Sequence, residues 1–152
     1  MSKYKALLDA TSQEGRVERI GVRPERKATV VELTRWTPGE QDHGKVGSKR
    51  AVTLIQAEHV PAIAAILARP VDALSLRRNV VVSGINLASL VGRRFRIGDL
   101  TLEGTELCDP CMVLEEILGP GGYAATMGMG GICAKILEPG TIEVGAQVCV
   151  LS

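Results

Sequence analysis

The chain has 152 residues, 45% of them hydrophobic and 23% charged, a balance expected of one soluble domain over 1–152 whose core needs no staple. Lys plus Arg number 18 against 17 Asp plus Glu, and aromatics are 3%. Nucleic acid is thereby excluded as a partner, since both a basic field and rings for base stacking are lacking. No stretch approaches the about 20 apolar residues that cross a bilayer. The N-terminal MSKYKALLDATSQEG lacks the apolar run and cleavage site of a secretory signal. The four cysteines therefore read as thiols, and a cytoplasmic location is expected.

Residues 1–26 are polar and mixed, expected to wrap the domain or to begin with a short strand. KATVVELTRW, Lys27 to Trp36, alternates and is rich in β-branched residues, which predicts a half-buried strand. Thr37 to Lys49 is a long loop packed with Gly, Pro, Asp and Ser, a length often tied to function. RAVTLIQ, Arg50 to Gln56, reads as the next strand. Val60, Ile63, Ala64 and Leu67 then recur at helical spacing, predicting a helix over about Ala57 to Ala68 with Pro61 in its first turn.

NVVVS (Asn79–Ser83), RRFRI (Arg93–Ile97) and DLTLEGTEL (Asp99–Leu107) predict strands separated by turns at Gly84, Gly92 and Gly98. A second helix is expected from Cys111 to Leu118, then a Gly-rich run, Gly119 to Gly131, that is mobile or tightly turned. It has no Gly-Lys-Ser/Thr ending and so matches no phosphate loop. ICAKIL and AQVCVL close the chain as strands. Many short strands, two or three short helices and no βαβ repeat predict a mainly β, closed barrel.

The sharpest chemical feature is CDPCMVLEEILGP, Cys108 to Pro120. Asp109 followed by Pro110 reads as an N-cap and first helical position. Cys111 then falls in the first turn, where free N–H groups favour a reactive or metal-ligating sulfur, although the Asp109 carboxylate works against it. The competing reading makes both cysteines small buried hydrophobes, and Cys133 and Cys149 sit in apolar strand patterns that suit that role. Structural zinc would need two more ligands at spacing, and Cys133, Cys149, His43 and His59 all stand alone. A redox Cys-x-x-Cys pair belongs to an α/β fold that the element order does not show.

Arg77 and Arg78 offer planar forks for a phosphate, and Asn79 adds an amide at the mouth of a strand. The plain alternative is an Arg-rich turn before a buried strand. His43, Lys45, Lys49 and Arg50 cluster in and beside the long loop, either as ligand contacts or as solvated loop. Arg93, Arg94 and Arg96 read as solvated strand edges.

Together these segments resemble the MOSC family, the domain named after the C-terminal part of molybdenum-cofactor sulfurases. The resemblance runs over about Ala28 to Leu151. It rests on the HG-containing loop with RAVTLIQAEH, on LRRNVVVSGINL, on VGRRFRIGDLTLEGTELCDPC and on GICAKILEPGTIEVGAQV. It implies a closed, strongly bent β-barrel with short helices. It also implies that Cys111 is the family's characteristic cysteine, the molybdenum ligand of amidoxime-reducing members, and that Arg77 and Asn79 contact the pterin cofactor. Those members carry a further N-terminal domain that this chain is too short to include. The cofactor would rely here on the His43–Arg50 loop or on a second subunit.

Two functions follow as expectations. In the first, an oxidoreductase reduces a small N-hydroxylated substrate at a Cys111-ligated molybdenum cofactor, with His43, Arg50, Arg77 and Asn79 holding the pterin and a separate electron-donor protein as partner. In the second, Cys111 is a non-catalytic carrier of persulfide sulfur or of the cofactor, and exchanges it with a donor or acceptor enzyme.

Overall fold

In RFRI the arginines face outward while Phe95 and Ile97 are buried, the period-two pattern of a strand with one face on a core. The same rule builds most of the molecule, a computed structural model that describes residues 4–11 and 14–151. Its elements are α1 (Lys5–Leu8), β1 (Glu14–Val22), β2 (Val31–Leu33), β3 (Arg35–Trp36), β4 (Val52–Gln56), α2 (His59–Leu67), β5 (Val80–Ser83), β6 (Arg94–Ile97) and β7 (Leu100–Leu107). Then come α3 (Met112–Leu118), α4 (Gly122–Ala125), β8 (Ile132–Glu138), β9 (Ile142–Glu143) and β10 (Gln147–Val150), with single 3-10 turns at Ala73–Leu76 and Leu87–Leu90.

The strands run β10-β6-β7-β8-β4-β5-β1, and pairing of β10 with β1 closes them into a seven-stranded barrel. Among the described residues, β4 and β5 form the one parallel ladder, joined through α2 in a βαβ crossover; the other ladders are antiparallel. β2 adds outside β1, and β3 with β9 forms a separate ribbon. The mainly β, closed barrel expected from the sequence is the fold, with the single-turn helices α1 and α4 beside the two anticipated ones.

Val17, Ile20, Val52, Leu54, Phe95, Leu102 and Val148 fill the barrel without exposure. A second apolar cluster lies outside it, where Ile55 and Val81 face away from the barrel onto Ile63, Leu67, Leu114 and Ala125 of the helices. Strands covered on both faces read as continuous apolar runs, which explains NVVVS.

Several boundaries differ from the sequence reading. The N-terminal region holds the nine-residue β1, because a bulge between Val17 and Arg19 shifts the inward parity and hides the alternation. The predicted Lys27–Trp36 strand is broken. Residues 23–30 turn the chain back onto β1 in the register Val22↔Val31, and Thr34 then accepts from Val144 N–H, leading the chain onto β9.

Cys111 precedes α3 as its N-cap, so Asp109 is not the cap and Pro110 is not its first residue. The Cys108 N–H still bonds Gly131 O, and an extended conformation is favoured before proline, so the helix starts later. The Gly-rich run contains α4. At its end Gly131 has φ +86, and a Cβ there would lie 1.9 Å from Leu54 O, so the approach of β8 to β4 demands glycine. Arg93 is no solvated edge: it is 8% exposed, with Nη2 2.6 Å from Asp9 Oδ1. Among the described residues no helix is long and apolar enough to cross a membrane.

Candidate functional site

One cleft of about 790 Å³ lies where the starts of β4 and β5, the end of β7, the 23–27 turn, the 42–44 segment of the long loop and a face of α3 converge. It gathers all five predicted site residues, His43, Arg50, Arg77, Asn79 and Cys111. It also gathers Arg23, Arg26, Lys27 and Asp42, which the sequence reading did not single out, together with Arg78. The signal for the first three was faint, since they lie in a mixed polar stretch whose strand went unseen.

Cys111 is exposed, and no cap hydrogen bond engages its side chain. Asn79, in contrast, is buried and spent on the protein. Its Oδ1 accepts from Thr53 N and Oγ1 at 3.0 and 3.2 Å, and its Nδ2 donates to Gly21 O and Asp42 Oδ1 at 3.1 and 3.3 Å. Both donors and both acceptor positions of the amide are thereby filled. Asn79 thus ties β1, β4 and the long loop together as a strut behind the cleft.

Asp42 is spent in the same way. Its carboxylate accepts from Arg23 N–H and Gly44 N–H, at 2.8 and 2.9 Å. His43 is exposed above it, its backbone N–H 2.8 Å and its Nδ1 3.2 Å from Arg23 O.

The guanidiniums are held by backbone carbonyls without being neutralised. Arg77 Nη2 donates to Arg26 O and Ala28 O, at 2.9 and 3.2 Å, and Arg23 Nη1 donates to Arg26 O. Arg78 Nε donates to Gly130 O at 2.8 Å. Carbonyls absorb N–H groups but leave the charge in place, and among the described residues none of these three arginines forms an ion pair. Burial and then the neighbouring Arg77 hold the Arg23 guanidinium below its ordinary value. Arg77 Nε is buried and has no hydrogen-bond partner, and Arg77 itself sits at φ +64, a conformation costing about 1–3 kcal/mol in a non-glycine residue.

Arg50 stands at the rim and turns toward a second sulfur pair. The Arg50 guanidinium helps draw the Cys133 thiol below its ordinary value, and its Nε lies 3.8 Å from Glu106. Cys108, on the cleft wall, has its Sγ 2.9 Å from Cys133 Sγ. Zinc would need a cluster of three or more His, Cys, Asp or Glu ligands, and none stands together among the described residues.

Fold and site define a mainly β barrel with a cation-lined cleft entered beside the exposed Cys111. The MOSC domain model matches residues 41–149, most of the chain, and the protein belongs to that family. YflK of Bacillus subtilis, itself uncharacterized, is 27% identical over 115 residues; the match takes in 73% of this chain and about half, 51%, of that protein's length. Among solved structures, YuaD from Bacillus subtilis superposes with a TM-score of 0.76 at 20% identity, covering 90% of this chain and 95% of its own. YiiM from Geobacillus stearothermophilus gives 0.76 at 20% identity over 91% of this chain and 75% of its own. At such identities the structures establish the shared fold.

Proposed function

We propose that this MOSC protein holds a molybdenum cofactor in the cleft and reduces small N-hydroxylated compounds there, with Cys111 as the protein ligand to the metal. The carrying observation is the group Arg23, Arg77 and Arg78, half-buried cations that among the described residues have no paired carboxylate, facing the exposed Cys111 thiol. A chain of net charge +1 that concentrates cations in one cleft has built an anion site.

The residues fit a phosphorylated pterin. The orphaned Arg77 Nε offers a buried donor, the guanidinium forks match phosphate geometry, and Cys111 offers the soft sulfur that suits the metal. Asn79 positions rather than touches, fixing the turn that carries Arg77. Arg26, Lys27 and His43 at the mouth add charge and a donor for the ligand's distal end. Val113 and Ile117 of α3 give one apolar wall. When bound, the cofactor supplies oxygen-atom and electron-pair chemistry. The electrons come from a separate donor protein, in the reducing compartment where the free thiols belong.

The test is protein made in a host that synthesises the cofactor, assayed for molybdenum and pterin fluorescence. An artificial electron donor then drives reduction of hydroxylamines and amidoximes. Retained molybdenum and turnover, both lost in Cys111→Ser, are expected. Loaded protein without turnover, bearing a cyanide-labile sulfur on Cys111, would instead establish the carrier.

A further inference from the structure

Cys108 and Cys111, the pair that the sequence sets side by side, are not partners in the fold. Cys108 meets Cys133, and both are buried, at 5% and 0% exposure. The sheet explains the meeting. Cys133 on β8 lies opposite Glu106 on β7, and the Cys108 N–H extends that ladder to Gly131 O. Cys108 and Cys133 are therefore diagonal neighbours with side chains on one face. At 2.9 Å their sulfurs need to close by about 0.9 Å to reach bonding distance.

The two sulfurs are inequivalent. The contact with Cys108 and then the Arg50 guanidinium draw the Cys133 thiol below its ordinary value. Contact with Cys133 and burial push Cys108 above it. Cys108 alone of the pair lines the cleft, so a reagent must come through that opening. With Cys108 only 5% exposed, the opening admits a small molecule and excludes another protein's disulfide.

We propose that Cys108 and Cys133 are a redox-active dithiol, a second reactive site in the cleft wall whose oxidant is a hydroperoxide. The Cys133 thiolate takes the proton of Cys108, whose sulfur, the one that the cleft reaches, attacks one peroxide oxygen. The O–O bond breaks, leaving Cys108 as sulfenic acid, and the departing hydroxide takes the proton from Cys133 and leaves as water. The Cys133 thiolate then attacks Cys108 Sγ and expels hydroxide, which leaves as a second water with a proton from solvent. The sulfurs lose the electron pair that the peroxide gains, and a small external thiol restores the dithiol by exchange. This chemistry is independent of molybdenum and of Cys111.

The experiment uses the full chain, metal-free and reduced, treated with about one equivalent of hydrogen peroxide, alkylated and mapped by mass spectrometry. The expected product is a Cys108–Cys133 cross-link that added thiol reverses and that persists in Cys111→Ser. Cys108→Ser and Cys133→Ser should abolish it, and Arg50→Gln should slow its formation several-fold near neutral pH. Oxidation confined to Cys111, a Cys108–Cys111 link, or sulfinic acid without a cross-link would overturn the proposal. An unchanged rate in Arg50→Gln would remove Arg50 from it. The wild-type and Cys111→Ser maps decide the matter even where a core serine variant fails to fold.

Discussion

On β5, Val80 and Val82 point into the barrel, where aliphatic side chains and Phe95 pack without a polar atom to satisfy. One residue earlier on the same stretch, Asn79 faces the cleft end and fills all four of its hydrogen-bonding positions. Two residues earlier, Arg77 keeps an unpartnered buried N–H and a left-handed backbone. The three positions grade from apolar closure, through a satisfied polar strut, to unresolved charge. Stability and ligand recognition should therefore separate along a few residues of chain, and substitutions can test where the boundary falls.

The largest effect belongs to the barrel. Phe95→Ala removes a fully buried ring and should cost about 3–5 kcal/mol in urea denaturation. Cys111→Ser, at an exposed thiol, should stay within about 0.5 kcal/mol of wild type while losing molybdenum. Comparable destabilisation of both would erase the distinction between barrel and cleft.

Asn79→Ala probes the boundary itself. It strands Gly21 O and Thr53 N–H in a half-buried place, and each such loss costs about 1–3 kcal/mol. The variant should be less stable by that order, with any loss of ligand following from a displaced turn. Unchanged stability with weakened binding would mean that Asn79 touches the ligand directly.

Much of this was legible in the sequence. The alternation of RFRI and the helical spacing of Val60, Ile63 and Leu67 mark elements with one buried face, and such elements announce themselves. β1 did not, since its bulge shifts the phase. The site was legible where a motif concentrated charge, at Arg77 and Arg78, and illegible where topology did the gathering. Arg23 reaches the cleft because β1 ends there, and Cys133 reaches Cys108 through strand register. Asp109-Pro110 misled because local capping chemistry yielded to a ladder that runs on to Cys108.

An effect of similar size, read in binding rather than stability, should appear in Arg77→Ala. Loss of one charge-assisted contact is worth about 1.5–3 kcal/mol, roughly tenfold or more in affinity. Inorganic pyrophosphate binding, followed by calorimetry at rising salt, gives a readout free of the metal. Wild type should bind more tightly at low salt and lose that advantage as screening grows. Equal affinity in variant and wild type would place the anion elsewhere.

The smallest effect lies on α3, whose opposite face lines the cleft. The Glu115 carboxylate accepts from Gly121 N–H and Tyr123 N–H, at 3.0 and 2.9 Å, and so fastens α3 to α4. The bonds from Tyr123 and then Gly121 hold its carboxyl below the ordinary value of 4.5. A depressed carboxylate stabilises the fold above its unfolded value, and that stabilisation fades as pH falls through the folded one. Glu115→Gln keeps one acceptor oxygen, sets an amide NH2 in place of the other and removes the charge, so its Tm should lie slightly below wild type at neutral pH. The gap should narrow as pH falls below the ordinary value of 4.5 and wild type also loses the charge. The group is open to solvent, so added salt should shrink the gap too. A gap that persists unchanged into acid would show that geometry rather than charge fastens the two helices. The boundary between barrel and cleft would then owe nothing to electrostatics on this side.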